Sequence, residues 1–116
     1  MEIEANFQAG QIVFLEYSNS RLYTEVIQIV VERGLCWVRP LLLVNQEEES
    51  QQITDLRSTS DLLWSTNLFQ PALDTQVIEL YSQILVKEPQ PELFQTAKQK
   101  LHEFIQLLWQ AQKDEA

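Results

Sequence analysis

The stretch that decides the fold is Arg33-Gly34-Leu35-Cys36-Trp37-Val38-Arg39-Pro40-Leu41-Leu42-Leu43-Val44. It begins at a turn signal, because glycine tolerates the positive φ that tight hairpin turns require, and continues through the most apolar part of the sequence. Successive residues of a strand face opposite sides of the sheet. We therefore expect Cys36, Val38 and Pro40 on one face, and Trp37 and Arg39 on the other. Pro40 cannot donate a ladder hydrogen bond, so it predicts an edge, a bulge or the end of regular pairing.

Four further strands are predicted around this stretch. Residues 11–17 and the long β-branched run 22–32 precede it, and a strand as long as the second usually bends. Residues 45–52 are polar and acidic and are expected to form a mobile loop. Short strands at 53–57 and 61–65 follow that loop. Turn signals at short intervals favour a five-stranded antiparallel sheet, either an SH3-like small barrel or a bent sheet.

The hydrophobic period changes from strand to helix after Trp64. A helix over residues 71–86 is predicted, with an inward stripe of Leu73, Val77, Leu80 or Tyr81, and Ile84. A second helix over 91–112 has the stripe Leu93, Ala97, Leu101, Phe104 or Ile105, and Leu108. Pro71 and Pro91 both suit a first helical turn. The prediction is one α+β domain over residues 1–116, with a β-module at 7–65 and a helical hairpin at 71–112 that covers one face or opening of the sheet.

Composition excludes several classes of function. The 116 residues have a net charge of −9, and no part of the chain is basic, which argues against a nucleic acid or an acidic membrane surface as partner. Gly10 and Gly34 are the only glycines, so a glycine-rich phosphate loop is excluded. The N-terminus does not resemble a signal peptide, and no apolar run is long enough for a membrane span. We expect a soluble, cytoplasmic protein.

Residues that often perform catalysis or bind metals are in the wrong setting here. Cys36 lies in mid-strand, without the helix N-terminus that lowers a thiol pKa, and is expected to be a small buried hydrophobe. His102 has no nucleophile beside it in the sequence and is expected at the helix surface. The run 47–49 lacks the alternating ligands and glycine of a calcium loop, and a carboxylate pair such as Glu16 and Glu25 is an arbitrary choice among the acids. No enzyme, cofactor or metal site is predicted.

Aromatic and arginine side chains form the one constellation that indicates a binding surface. Trp37 and Arg39 share a strand face, and Arg33, Arg57 and Trp64 come from neighbouring predicted turns and strands. Trp, Tyr and Arg are enriched at the energetic hot spots of protein interfaces. The alternative is that Trp37 and Trp64 belong to the core and are covered by the arginine stems.

Two functions are consistent with these observations. The first is a non-enzymatic interaction or assembly module that binds a protein partner through the aromatic and arginine surface. The second is a regulatory domain that binds a small ligand in an apolar pocket between the barrel and the helices. Leu107 and Trp109 lie off the main stripe of the last helix, so they either widen the core face or contact a partner helix or a second copy in a homodimer. A nucleic-acid binder would suit the fold, but the charge argues against it.

The sequence resembles known proteins in two ways. The segment Phe7-Gln-Ala-Gly10-Gln-Ile-Val-Phe-Leu-Glu-Tyr17 and the hairpin into Cys36-Trp-Val-Arg-Pro-Leu41 resemble the opening of SH3-like barrels. In those barrels a glycine-containing turn precedes the first strand and a long hairpin follows it. The whole sequence is also similar to small, uncharacterised glutamine- and leucine-rich proteins of cyanobacteria. The segment that contributes most to this similarity is Asp61-Leu-Leu-Trp-Ser-Thr-Asn-Leu-Phe-Gln-Pro-Ala-Leu-Asp74. These resemblances imply a fold for half of the chain and an origin, and they carry over no functional residue.

Overall fold

A computed structural model of the chain describes residues 7–47, 49–85 and 94–115. Within these residues the fold is α+β, with an antiparallel sheet followed by two helices. The strands are β1 (Ile12–Tyr17), β2 (Ser20–Val30), β3 (Leu35–Glu47), β4 (Ser50–Asp55), β5 (Leu62–Ser65) and β6 (Gln70–Pro71). The helices are α1 (Asp74–Leu85) and α2 (Phe94–Glu115). The expected α+β class and the order of sheet before helices are confirmed.

Strand β3 organises the sheet, as the opening stretch of the sequence indicated. The strand order is β4-β3-β2-β1-β6, and β5 also pairs with β3. The first part of β3 pairs with β5, its last part pairs with β4, and β2 lies along its other side. The sheet does not close on itself. Of the two expected forms, the structure therefore has the open sheet and not the barrel.

The predicted turn and irregularity of the β2–β3 hairpin are both present. Gly34 has a φ of +63° and ends the short 3₁₀ turn that joins the two strands. The register shifts between Tyr23 and Thr24, where Leu41 is left unpaired beside Pro40, and a second shift leaves Ile27 unpaired. Such bulges bend the strand and increase its twist. The proline is therefore tolerated in a central strand because it lies next to a bulge.

A different helix packs on each face of the sheet. One core contains Val13, Leu15, Leu22, Val26, Cys36 and Val38, together with Ala97, Phe104 and Leu108 of α2. The other core contains Phe14, Tyr23, Leu42 and Val44, together with Leu80 of α1. Alternate residues of β1 contribute to the two cores, because successive side chains of a strand point to opposite faces. The two helices thus lie on opposite faces and do not cover one face as a hairpin.

The expectation of a loop at residues 45–52 is wrong. Strand β3 continues through Glu47, and β4 begins at Ser50, which is its register partner. The Asn19 side chain in the β1–β2 turn also donates a hydrogen bond to the Gln46 carbonyl at 2.6 Å. The apolar pairs that precede this polar segment fix its register, and the ladder then extends into residues of low intrinsic strand preference. Glu48 lies outside the described residues.

The start of the first helix also differs from the prediction. Pro71 pairs with Val13 in β6 and does not lie in the helix. The carbonyl of Leu73 accepts hydrogen bonds from the N–H groups of Gln76 and Val77 at 3.0 and 3.1 Å, so Leu73 directly precedes α1. Its side chain is exposed, contrary to the predicted stripe.

The second helix has the predicted inward stripe. Ala97, Phe104 and Leu108 are buried, and Leu101 and Ile105 are partly buried against the same core. The predicted start at Pro91 and the stripe residue Leu93 lie outside the described residues, as does the side chain of Ile84 in α1. This stripe could be predicted from the sequence because a helix repeats every 3.6 residues regardless of what it packs against.

Candidate interaction surface

The register between β3 and β5 decides which tryptophan is exposed. Trp37 is paired with Leu63, and Cys36 is paired with Trp64. Directly opposite residues of an antiparallel pair project to the same face. Trp64 therefore lies on the face of buried Cys36, where it packs against the α2 core. Trp37 and Leu63 project from the other face, so Trp37 is not part of that core.

The exposed residues form a small patch that we call the Trp37 surface, made up of Trp37, Arg39, Asp61 and Leu63. Trp37 is 37% exposed and Leu63 is 54% exposed. The indole Nε1 of Trp37 donates to Asp61 Oδ2 at 3.1 Å, and Arg39 Nε lies 3.9 Å from Asp61 Oδ1. The aspartate fixes the indole edge by this hydrogen bond. An apolar area thus lies directly beside a charged pair.

The Trp37 surface shares a sheet face with α1 but lies beyond the part that α1 covers. Arg39 is the register partner of Glu25, which is two residues along β2 from Tyr23 in the α1 core. Residues two apart on a strand share a face.

The sequence analysis did not identify Asp61 and Leu63 as part of this surface. Their position depends on the pairing of β5 with β3, and no local sequence pattern indicates that pairing.

The five residues expected to form one binding surface are divided by the fold. Trp37 and Arg39 are together, as their spacing predicted. Arg33 is exposed in the turn before Gly34. The Gly34 carbonyl accepts a hydrogen bond from the Thr66 N–H at 2.9 Å, so Arg33 lies next to the end of β5. The structure does not bring Arg57 or Trp64 to this surface. Trp64 is on the opposite face, and Arg57 follows β4.

Arg57 instead belongs to a polar cluster between the sheet and α1. Its guanidinium bonds both carboxylate oxygens of Asp55 at 2.7–3.0 Å. Burial acts to raise the pKa of Asp55, but the hydrogen bonds and positive charge of Arg57 lower it overall. Burial raises the pKa of Tyr81 on α1, and the charge of Glu25 raises it further while that of Arg57 offsets part of the shift. The Asp55–Arg57 ion pair thus lies close enough to α1 for the charge of Arg57 to act on the hydroxyl of Tyr81.

Helix α2 presents a second exposed apolar region on the opposite face. Trp109 is 53% exposed, and its ring meets Trp64 edge-on with centroids 6.4 Å apart. Lys113 Nζ lies 5.8 Å from the centre of the Trp109 ring. Leu107 is also exposed. Trp109 thus both widens the contact of α2 with the sheet and leaves part of its ring to solvent.

An open cleft of ≈ 430 Å³ lies between the β1–β2 turn and α1. Most of the residues that line it have polar side chains, among them Glu16, Arg21, Gln76 and Glu79, whereas an apolar pocket was expected for a ligand-binding domain. Arg21 Nε donates to Glu16 Oε2 at 2.6 Å, and its guanidinium lies 4.5 Å from the centre of the Phe14 ring. Hydrogen bonds to Tyr23 and Glu16 raise the pKa of Arg21, so it stays charged.

Cys36 and His102 lie where their sequence setting predicted. Cys36 is fully buried, and burial raises the pKa of its thiol. His102 is exposed on α2. The register places Glu16 opposite Arg21 and Glu25 opposite Ile12, so the two carboxylates are not neighbours. The described part of the chain contains no group of three or more His, Cys, Asp or Glu side chains that could hold a metal ion.

Comparison of the chain with protein-family models, curated proteins and solved structures found no match. Neither of the two described helices is long and apolar enough to cross a membrane.

Proposed function

We propose that the protein is a non-enzymatic interaction module that binds a protein partner through the Trp37 surface. The observation that carries the proposal is the pairing of Trp37 with Leu63 on a part of the sheet that neither helix covers. Large exposed apolar side chains with adjoining charges are typical of interface hot spots.

Each residue of the Trp37 surface has a distinct part in this proposal. Trp37 and Leu63 supply apolar area that leaves water when the partner docks. Asp61 holds the indole by its hydrogen bond, which limits the entropy lost on binding. The guanidinium of Arg39 contacts Asp61 only at 3.9 Å, so a partner carboxylate can form a closer, bidentate pair with it.

The test compares capture of binding proteins by the native chain and by two variants. The chain is immobilised and exposed to a lysate of its source organism, and retained proteins are quantified by mass spectrometry. The double variant Trp37→Ala/Arg39→Ala should lose a protein that the native chain retains. The matched control is Ile78→Ala, which removes a 68% exposed apolar side chain on α1 and should retain that protein. Equal retention by native and double-variant chains would contradict the proposal.

The exposed part of α2 is tested with the same method. Leu107→Ala should leave the captured protein in place if the Trp37 surface is the contact. Loss with Leu107→Ala but not with Trp37→Ala/Arg39→Ala would assign the contact to the helix. Analytical ultracentrifugation of the native chain and of Trp109→Ala separates a hetero-complex from a homodimer held by α2.

The second candidate function, binding of a small ligand, is favoured by one observation, the cleft beside Arg21. Its volume of ≈ 430 Å³ is within the range of ligand sites. Native mass spectrometry of the purified chain would show a bound small molecule that is lost in Arg21→Ala. If the native mass equals that of the chain without a ligand, and capture of a protein depends on Trp37, the interaction module is favoured.

A further inference from the structure

Among the described residues no strand pairs with the outer edge of β5, and exposed apolar side chains lie near it. Among the described strands, β5 pairs only with β3. Its sequence Leu-Leu-Trp-Ser is uncharged. Proteins usually blunt such edges with charges or proline, and the other edges here show this: β4 carries glutamines and Asp55, and β6 is two residues long and includes Pro71.

The hydrogen-bonding pattern shows which backbone groups face outward from β5. The Thr66 N–H donates to the Gly34 carbonyl at 2.9 Å, and the register continues from there through Ser65 opposite Leu35. In an antiparallel ladder, directly bonded pairs alternate with pairs whose N–H and C=O groups point away from each other. Trp64 is therefore bonded to β3, whereas Leu63 and Ser65 direct their N–H and C=O groups to the open edge.

Exposed apolar side chains flank this edge on both faces of the sheet. Trp37 and Leu63 lie on one face. On the other face Trp64 contacts Trp109, which is half exposed. A strand added beside β5 would place its alternate side chains against these two areas in turn, because side chains alternate between faces. The Trp37 surface and the exposed ring on α2 thus become two sides of one site.

Three of the eight Lys and Arg residues of the chain lie near this edge. Arg39 lies at the end of β5 near Asp61, and Arg33 borders the other end. Lys113 lies over Trp109 on the second face. This arrangement is complementary to carboxylates on the incoming strand.

We propose that the partner contributes an extended segment of alternating apolar and acidic residues, which adds as an antiparallel or parallel strand to the free edge of β5. The outward N–H and C=O groups of Leu63 and Ser65 pair with its backbone. Its apolar side chains pack on Trp37 and Leu63 or on Trp109, and its carboxylates meet Arg39, Arg33 and Lys113. The inference rests on the proposed function, since it specifies how the Trp37 surface is used.

The experiment selects ligands from a displayed library of random peptides about twelve residues long, long enough to span a strand. We expect enriched peptides with alternating apolar and Asp or Glu residues. The enriched peptide is then synthesised, and its Kd is measured by fluorescence polarisation against native and variant chains that circular dichroism shows to be folded.

The decisive variant is Leu63→Pro, which removes an outward N–H and leaves the ladder bonds of Leu62 and Trp64 to β3. The matched control Leu63→Thr also loses the leucine side chain but keeps the N–H. We expect Leu63→Pro to weaken binding at least about tenfold more than Leu63→Thr does, equivalent to ~1.4 kcal/mol. A second test needs no protein variant. N-methylation of alternate peptide amides should abolish binding, and methylation of the intervening amides should have little effect.

The outcomes separate this inference from the proposed function. Peptides that bind, depend on Trp37 and Arg39, and tolerate both Leu63→Pro and alternate N-methylation would overturn strand addition and keep the interaction surface. Failure to enrich any peptide that depends on Trp37 and Arg39 would overturn strand addition, and the lysate capture then decides the proposed function by itself. Enrichment of basic peptides would overturn the acidic character of the partner. A dimer in sedimentation that Leu63→Pro abolishes would make the occupant a second copy and overturn the acidic segment.

Discussion

Trp37 and Trp64 lie on adjacent paired strands but project to opposite faces of the sheet. Trp37 is opposite Leu63, and Trp64 is opposite Cys36, a difference of one residue in register. That one residue places one indole beside solvent with its Nε1 bonded to Asp61, and the other indole against the α2 core. Two residues of the same type thereby acquire different roles.

The two tryptophans should differ in their contribution to stability. Trp64→Ala should lower the free energy of unfolding by about 3 kcal/mol, because it leaves a void between the sheet and α2. Trp37→Ala should lower it by no more than about 1 kcal/mol, as is usual for exposed positions. Urea unfolding followed by circular dichroism measures both. A larger loss for Trp37→Ala would contradict its assignment to the surface.

Asp55→Asn should make the chain less stable at neutral pH but not in strong acid. Arg57 lowers the pKa of Asp55 below its ordinary value of 3.8, so the folded state binds this proton less readily than the unfolded state. The ion pair therefore stabilises the fold fully above that value, and its contribution is lost as the pH falls through the lower, folded-state pKa. We expect a difference of about 1–2 kcal/mol between native and variant chains at pH 7.

The measurement for Asp55 is urea unfolding of both chains at several pH values from 7 downward. The difference in free energy should shrink toward zero below the folded-state pKa, because the native carboxyl is then protonated as well. A difference independent of pH would show that the asparagine disturbs packing and that the charge is not its cause. Gln52→Ala, at an exposed position of the same strand, serves as a control without a charge change.

Gly34→Ala should destabilise the chain through backbone strain alone. Gly34 has a φ of +63°, and a Cβ added there would meet no atom within 4 Å. The cost is then that of placing an L-residue in the left-handed region, about 1 kcal/mol. Gly34→Asn should cost less, since asparagine tolerates this conformation better. The melting temperatures of the two variants test this explanation. A higher melting temperature for Gly34→Ala than for Gly34→Asn would contradict it.

Leu22→Ala should be among the most destabilising single changes. Leu22 is fully buried in the α2-side core, and removal of its side chain leaves a cavity that costs about 2–5 kcal/mol. Leu107→Ala is the matched control, because the same atoms are removed from an exposed helix position; its effect should stay within about 0.5 kcal/mol. Similar losses for both variants in urea unfolding would show that Leu107 is buried in solution, as in a homodimer.

Much of the fold follows from local pattern. The strands at residues 12–17 and 35–44, the turn at Gly34 and the bulge beside Pro40 follow from residue type and order. So does the inward stripe of α2. Each of these features depends on a period of two or 3.6 residues or on the φ preference of one residue. Such local preferences do not depend on residues far away in the sequence.

Long-range pairing determined what the sequence pattern could not indicate. The sequence of residues 45–52 predicts a loop, but the hairpin of β3 and β4 extends through these residues. Pro71 read as a helix start, but it pairs with Val13. The side chains of β5 have no face of their own until the register with β3 is set, since a shift of one residue exchanges the two faces.

The sequence by itself therefore determined most of the element types, the alternation that puts Trp37 and Arg39 on one face of β3 and Cys36 and Val38 on the other, and the acidic character of the chain. Only the tertiary structure decided that the sheet stays open, that α1 and α2 lie on opposite faces, and that Leu63 and Asp61 join Trp37 while Trp64 does not. The physical reason is that periodicity is a property of neighbouring residues. The choice of face, edge and covering helix depends instead on contacts between residues far apart in the chain.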